Sequence, residues 1–553
     1  MYMKKILRYI LFPLLAATLV TSCHKLNEAI TSELAPGAFP ADTTQYPSVV
    51  GPMYVVLRGN YAVEYFFQQT YSTDEGIMPA RGGNWFDGAQ NQQMHYHSWN
   101  ADNGYVNGNW TWCSTIIGVA NQTLSILKTA AGSDATKRPW IAETRMVRAL
   151  AYFFLMDNYG NVPIDTAYGD FSQKTNSPRT QVFSFIESEI KAALPDLNTS
   201  ASASQYGRPN KYMAYALLAK MYLNAEYYTG TARYNDCIAA CDNVISSGLY
   251  SLQPMNSYFS QFAPTNGPSC KEFIFAIPYD PSMTKTFGTT SWPFRCVNIH
   301  ARYDIPRSMS KVVPGAGYNF FSLPYTTSAP ASTLLSFYKN FSDPGDIRNK
   351  QWLTGLQYEH DGVTPIMITT TKSGYDFTYS GSDDTATYTY QLNLTPDIVL
   401  RYTKNPFDVG NDEIGWNMGY RNIKFYPDST STSRDQNNDV PVFRYSDILL
   451  MKAEAILRGG SATLGQDQLS LVNQLRAQRT TTGPWTSVTL DSIYNERSRE
   501  FAWEGWHRND MIRFGKYEDA WGFKTDADKN HRIFPIPTSA RAKNLALQQN
   551  PGY

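Results

Sequence analysis

The stretch from Val442 to Gly515 constrains the fold of this chain more than any other, because it sets three helical patterns around a dense block of charge. The first helix is expected to open after Asp439-Val440-Pro441, where an Asp side chain can accept the free N–H groups of a first turn and Pro suits the start. It stops at Gly459-Gly460. Tyr445, Ile448, Leu449, Ala453 and Ile456 share one face, and Leu450 and Leu457 widen it, so this helix is mostly buried. The second carries Leu471, Leu475 and Arg476. The third starts near Asp491 and crowds Glu496, Arg497, Arg499, Glu500 and Glu504 among Ile493, Tyr494, Phe501 and Trp503. Scattered surface pairs at i,i+4 are the plain reading of such a pattern. So many charges among aromatic rings favour an interlocked, buried ion-pair network instead.

A chain of 553 residues has room for one large domain or two to four ordinary ones. Its 48 basic and 48 acidic side chains cancel, which argues against a nucleic-acid partner and against adhesion to acidic lipid by charge alone. Aromatics reach 14%, almost as many as the 17% of charged residues, and 38 of them are Tyr. Tyr and Trp suit half-wet surfaces and sugar-stacking platforms; a large helical core would use them as well. The six cysteines, Cys23, Cys113, Cys237, Cys241, Cys270 and Cys296, are too few for a disulfide framework, and Cys237 and Cys241, one helical turn apart, read as small buried hydrophobes.

The first 22 residues combine a basic start (Lys4, Lys5, Arg8) with an apolar run from Ile10 to Val20, too short to be a stable membrane span. They end in Leu19-Val20-Thr21-Ser22-Cys23, which resembles a lipobox, where the Cys becomes the acylated N-terminus; the alternative is an ordinary signal peptide with a chance Cys nearby. Several acyl chains on Cys23 would hold the protein at a membrane without a transmembrane helix. His24–Asp42, polar and containing Pro36 and Pro40, reads as a tether.

Helical signals then run to residue 250. Tyr46–Arg58 is a short amphipathic segment weakened by Gly51-Pro52. A second helix follows from Trp110 through Leu127. A third contains Arg145, Arg148, Tyr152, Leu155 and Tyr159 on one face and ends at Gly160. A fourth covers Phe183–Leu194. Gly207–Tyr228 and Tyr234–Gly248 form a helix pair whose small and aromatic residues resemble tetratricopeptide packing, and the pair at 443–478 would stack in the same layer. From Leu252 to Asn438 helical periodicity gives way to Ser, Thr, Gly, Pro, Asn and Tyr. Strand-like runs remain at Glu272–Ile277 and Ile398–Tyr402. An insertion this long is functional or disordered, and its many aromatics argue against disorder.

Several strings carry a resemblance. RYSDILLMKAEA, Leu475-Arg476 through Arg479, ERSREFAWEGWHRNDMIRFG and the closing Phe534–Tyr553 are similar, in order and spacing, to the C-terminal half of the SusD/RagB family. Glu143-x-Arg-x-x-Arg-Ala, leading to Tyr159-Gly-x-Val-Pro, matches that family as well. The resemblance implies a mostly α, tetratricopeptide-like helical-pair scaffold (46–250 and 440–553) in a single domain over 46–553. A loop-rich, ligand-facing region with short β-strands would occupy 251–439, behind a signal peptide (1–22) and a lipid-anchored tether (23–45). It also implies a surface-exposed outer-membrane lipoprotein, anchored through lipidated Cys23, that captures glycan for a SusC-like TonB-dependent transporter. No chemistry on the glycan, no cofactor and no nucleic acid are implied.

The best local match to a sugar site is Asp74-Glu75 followed by Arg81-Gly-Gly-Asn84-Trp85-Phe86-Asp87, whose glycines would let the backbone push Trp85 outward. The resemblance assigns Trp85 as a stacking platform with Asp74, Arg81 and Asn84 as polar partners; the alternative is that Trp85 packs into the core beside Trp99 and Trp110. Trp292 and Phe320 join the candidates on region and residue type alone. His95-x-His97 could ligate a metal on a strand, but no third ligand is identifiable, and structural histidines are the preferred reading. Asp526-x-Asp528-x-Asn530 has His531 where a calcium loop needs Gly, and is rejected as an EF-hand. There is no GxSxG, P-loop or HExxH. A surface glycoside hydrolase, peptide capture and a purely structural transporter partner remain the alternatives.

Overall fold

The computed structural model describes residues 39–80, 86–279, 331–358, 362–365, 367–370, 388–391, 393–401, 406–410, 417–426 and 437–553, with 368–370 and 388–390 described by backbone only. The scaffold is helical. Helix α1 (Tyr46–Asn60) continues through a π-turn at Tyr61–Tyr65 into α2 (Phe66–Tyr71), so Gly51-Pro52 does not stop it. The short α3 (Gln90–Tyr96) leads to the long antiparallel neighbours α4 (Gly104–Thr129) and α5 (Asp134–Tyr159). The Ser133 hydroxyl caps α5 at the Thr136 N–H, and Gly160 ends it at φ +71.

The face of α5 that the sequence aligned meets α6 (Arg179–Ala193). The Glu189 carboxylate accepts from Arg148 Nε at 3.0 Å and lies 3.3 Å from Arg145 Nη2, while Tyr152 donates to the Asp165 carbonyl at 2.7 Å. Next come α7 (Lys211–Leu223), α8 (Ala225–Thr229) and α9 (Tyr234–Ile245). α7 packs on α9, and α9 packs on α11 (Tyr445–Leu457), which packs on α12 (Gln468–Arg476). The two expected helix pairs therefore stack in one layer, although they lie two hundred residues apart.

The start of α11 corrects the sequence reading. Val440–Arg444 is a strand, not a helix entry, and pairs antiparallel with Phe273–Ile277. Two apolar, β-branched and aromatic runs bury each other there, and Pro441 is tolerated because, among the described residues, the sheet has two strands and both are edges. Asp439 caps no helix; it accepts from the Tyr279 N–H at 2.9 Å and the Tyr206 hydroxyl at 2.7 Å. The expected third helix is two: α13 (Leu490–Glu500) and α14 (His507–Arg513), broken where Trp503 (φ +60) and Gly505 (φ +77) turn the chain. Among its described residues the insertion contributes, besides α10 (Leu335–Tyr338), three short antiparallel pairs: Trp352–Leu353 with Arg421–Asn422, Gly355–Leu356 with Asn393–Leu394, and Met367–Thr370 with Tyr388–Gln391. Ile398–Arg401 forms no strand; Arg401 gives its N–H to the Asp408 carbonyl and its guanidinium to the Val409 carbonyl, and Tyr402 lies outside the described residues.

The charged block is buried and interlocked. Glu500 meets Arg444 at 2.7 Å, Arg479 at 2.9 Å and Arg348 at 3.0 Å; Glu504 meets Arg444 at 2.7 Å and Lys424 at 2.6 Å; all are essentially inaccessible to water. Glu272 joins through Arg479 at 3.0 Å, and Asp346 through Arg348 at 2.6 Å. Four of these partners, Glu272, Asp346, Arg348 and Lys424, belong to the loop-rich region. The network therefore fastens that region to the C-terminal helices. The described cysteines, Cys113, Cys237, Cys241 and Cys270, are unbridged; Cys23 and Cys296 lie outside the described residues.

Candidate functional site

The loop that leaves α2 at Ser72 is fixed before it reaches the predicted ligand residues. Gly76 passes so close to Thr70 that a Cβ there would lie 2.5 Å from its methyl carbon, which makes glycine necessary. The Glu75 carboxylate is buried and accepts from the Thr70 hydroxyl at 3.2 Å and the Trp503 N–H at 2.6 Å. Burial pushes its pKa up to about 7, even though His507, those donors and Lys424 oppose the shift. Beyond Gly76, Ile77 exchanges two backbone hydrogen bonds with Ser332 (2.7 and 2.8 Å). Ala80 donates to the Phe407 carbonyl (2.9 Å) and accepts from the Val409 N–H (3.0 Å). The loop thus lies at the seam between the helical scaffold and the loop-rich region.

Of the six predicted ligand residues, Asp74 is the one among the described residues. Arg81, Asn84, Trp85, Trp292 and Phe320 lie outside them. The Asp74 carboxylate, partly exposed, lies 2.8 Å from His507 Nε2. Burial disfavours the imidazolium, but the Asp74 carboxylate, together with Glu75 and Asp510, outweighs it, and the His507 pKa is raised. The ring is held edge-on by Phe337 at 4.8 Å and flanked by Tyr494 at 5.8 Å. Asp74 therefore keeps one oxygen on a rigid neighbour and can offer the other to a ligand hydroxyl.

The chain returns at Phe86, an exposed aromatic, through Asp87, Gly88 and Ala89, all at positive φ (45°, 65° and 65°). Two of these are not glycine, and such conformations persist only where surrounding structure imposes them, commonly at ligand sites. Beside α3, where His95 accepts from the Phe523 N–H, lies a shallow cleft of about 220 Å³, lined by Leu334, Leu335, Pro396, Asp397, Ile398 and Phe523. Leu334 is two residues beyond the Ile77–Ser332 pairing. The cleft offers an apolar wall, a half-buried ring and an exposed carboxylate, the mixture that binds the C–H faces and hydroxyls of a sugar.

His507, Asp397 and Phe523 were not singled out by the sequence, whereas Glu75, part of the sugar-site string, is buried rather than presented to a ligand. The usable signal was His507 itself, an imidazole inside an arginine–carboxylate block. His95 and His97 share no strand face: α3 ends between them, and His97 is left-handed at φ +56. Both are buried. His95 accepts from the Phe523 N–H at 3.1 Å, and His97 Nε2 lies 3.0 Å from the Ser72 carbonyl. Burial lowers their pKa values to about 3 and about 4. Asp526 lies 2.8 Å from His531, and Asp528 caps the Asn530 N–H at 2.9 Å. Among the described residues no cluster of three or more His, Cys, Asp or Glu side chains is placed to hold a metal ion. Trp99 and Trp110 are core residues.

Comparison with known proteins places this architecture. Residues 216–553 match the sequence model of the SusD family, and residues 53–223 match a model described as starch-binding associating with outer membrane. The starch-binding protein SusD of Bacteroides thetaiotaomicron is 23% identical over 508 residues, covering 88% of this chain and 86% of that protein. Among solved structures, a laminarin binding SusD-like protein aligns with TM-score 0.64 and 21% identity, over 92% of this chain and 99% of its own. Surface glycan-binding protein A from Bacteroides thetaiotaomicron, in complex with laminarihexaose, aligns with TM-score 0.63 and 19% identity over the same shares. These structural likenesses establish a common fold.

Proposed function

The chain belongs to the SusD family, and from that premise we propose that it captures a polysaccharide or oligosaccharide at the cell surface and does no chemistry on it. The observation that carries this reading is the family match, which across its two parts runs from residue 53 to residue 553. Relatives of the same fold whose descriptions name starch, laminarin and laminarihexaose support a neutral glycan. So does the balance of 48 basic and 48 acidic residues. The ligand would lie on the face built by the Ser72–Phe86 loop and the Leu334–Phe523 cleft. Trp85, Trp292 and Phe320 would supply stacking rings, and Asp74, Arg81 and Asn84 would bond hydroxyls.

In this reading acylated Cys23 anchors the chain in the outer membrane facing outward, residues 24–45 act as a tether, and 46–553 work as one domain. The captured glycan passes to a SusC-like TonB-dependent transporter. Calorimetric titration of the chain begun after Cys23, against neutral plant, fungal and host oligosaccharides, tests capture: saturable binding of one class is expected, and silence across the panel contradicts it. Purification of the full chain from outer membranes in mild detergent tests delivery. A TonB-dependent transporter is expected to co-purify, and elution of the chain alone contradicts that step. Palmitate labelling that survives Cys23→Ala would contradict the anchor.

A further inference from the structure

A second cleft, of about 280 Å³, lies between α1, α5, the turn at Tyr206–Arg208 and the end of the first strand. Its walls are Pro47, Val50, Leu57, Trp140, Ile277 and Pro278, with Gly51 and Tyr54 facing it from α1. Tyr54 and Tyr71 are seventeen positions apart on nearly continuous helix, so about 25 Å of helical rise separates this cleft from the Ser72 loop. It is no part of the glycan face.

Three charged side chains line the cleft. Glu143 is neutralised by Arg208, whose Nε lies 3.1 Å from both carboxylate oxygens, and it also accepts from the Tyr54 hydroxyl. Arg208 is stacked on Trp140, 4.7 Å from ring centroid to guanidinium carbon. The third charge, half-buried Arg58, has no ion-pair partner among the described residues. The lining therefore carries one uncompensated positive charge beside apolar walls. A bound anion would give Arg58 the charge-assisted, bidentate partner it lacks.

Gly51 is the second observation. It sits in the interior of α1, where glycine is the poorest helix former after proline. No atom would lie within 4 Å of a Cβ placed on it, and its φ is not left-handed, so neither crowding nor backbone conformation requires glycine there. What a side chain at 51 would take away is the open volume of the cleft. As for size, a dry cavity of roughly 150 Å³ holds one benzene. A space of 280 Å³ accommodates a one- or two-ring group with a short polar end.

We propose that this cleft is a binding site for a compact apolar monoanion, an aromatic carboxylate, whose ring lies among Pro47, Val50, Trp140 and Pro278 and whose carboxylate pairs with Arg58. The probe is 2-naphthoate, titrated into the chain begun after Cys23 and followed by ligand-observed NMR and calorimetry. Its neutral counterpart 2-naphthalenemethanol and the ring-free anion laurate are run in parallel. Saturable binding at one site is expected, weakened about tenfold or more in Arg58→Gln and lost in Gly51→Phe, which fills the cleft. The alcohol and laurate should bind at least about tenfold more weakly, which is the scale of one charge-assisted hydrogen bond. Arg58→Gln, at a half-buried position, decides the matter should Gly51→Phe fold poorly. The proposal is overturned by no saturation at millimolar 2-naphthoate, by equal binding of the alcohol or of laurate, or by affinity unchanged in Arg58→Gln.

Discussion

The Glu75 carboxylate accepts the backbone N–H of Trp503 at 2.6 Å across 428 positions of sequence, with both residues buried. This bond ties the start of the candidate ligand loop to the sharp turn between α13 and α14. Trp503 is held there at φ +60, a conformation a bulky residue adopts only under constraint. The base of the loop is thereby indexed to the C-terminal helices.

A pH dependence follows. Burial raises the Glu75 pKa from 4.5 to about 7 in the folded chain, so the folded state holds this proton more tightly than the unfolded state. The resulting stabilisation is full below pH 4.5 and is lost as pH rises through about 7; two to three units correspond to about 3 kcal/mol. Glu75→Gln should remove that slope. The difference in unfolding midpoint between wild type and variant, measured from pH 4.5 to 8, should vary with pH in that window; a constant difference contradicts the assignment.

His507 should titrate above the ordinary histidine range, because the Asp74 carboxylate 2.8 Å away, with Glu75 and Asp510 behind it, outweighs its burial. The sign is again that of a raised pKa: the stabilisation is complete below about pH 6.5 and lost as pH rises through the folded value. In Asp74→Asn the His507 pKa should fall, since burial then acts without the carboxylate. Ring-proton NMR reads both values, and an unchanged pKa in the variant would show that the pair does not couple.

Much of this was legible beforehand. The density of charge at Glu496–Glu504 announced a buried network, and Arg145, Arg148 and Tyr152 announced one shared helix face. What failed did so for identifiable reasons. Asp439-Val440-Pro441 carries local helix-start chemistry, but Val440–Arg444 finds a partner strand 167 residues earlier, and pairing prevails over propensity. The helix break at Trp503 has one glycine signal, Gly505, which a helical pattern can absorb. The contact of Glu75 with Trp503 and that of Asp74 with His507 were invisible, because no local spacing encodes residues more than 400 positions apart.

The buried network makes a prediction of magnitude. Arg444 contacts Glu272, Glu500 and Glu504, and Arg444→Met would leave three carboxylates short of a cation. Such a loss costs about 3–5 kcal/mol. Lys191→Ala removes only an exposed pair with Glu187, worth about 0.5 kcal/mol. Thermal unfolding should lower the first variant's midpoint by many degrees and leave the second near wild type; equal shifts would contradict the picture of a fastening network.

Gly76→Ala should strain the loop base, since its Cβ would meet the Thr70 methyl carbon at 2.5 Å, and overpacking of this kind costs about 1–3 kcal/mol. Limited proteolysis near Arg81 should accelerate in this variant. Cleavage at the wild-type rate would mean the loop is anchored elsewhere.

Glycan capture is tested most directly by native gel electrophoresis of the chain begun after Cys23, through gels containing neutral plant, fungal and host polysaccharides, with Trp85→Ala alongside. One polysaccharide is expected to retard the wild-type chain, and a folded Trp85→Ala variant is expected to migrate freely. Migration unaffected by every polysaccharide would contradict glycan capture and leave a peptide ligand or a structural role beside the transporter.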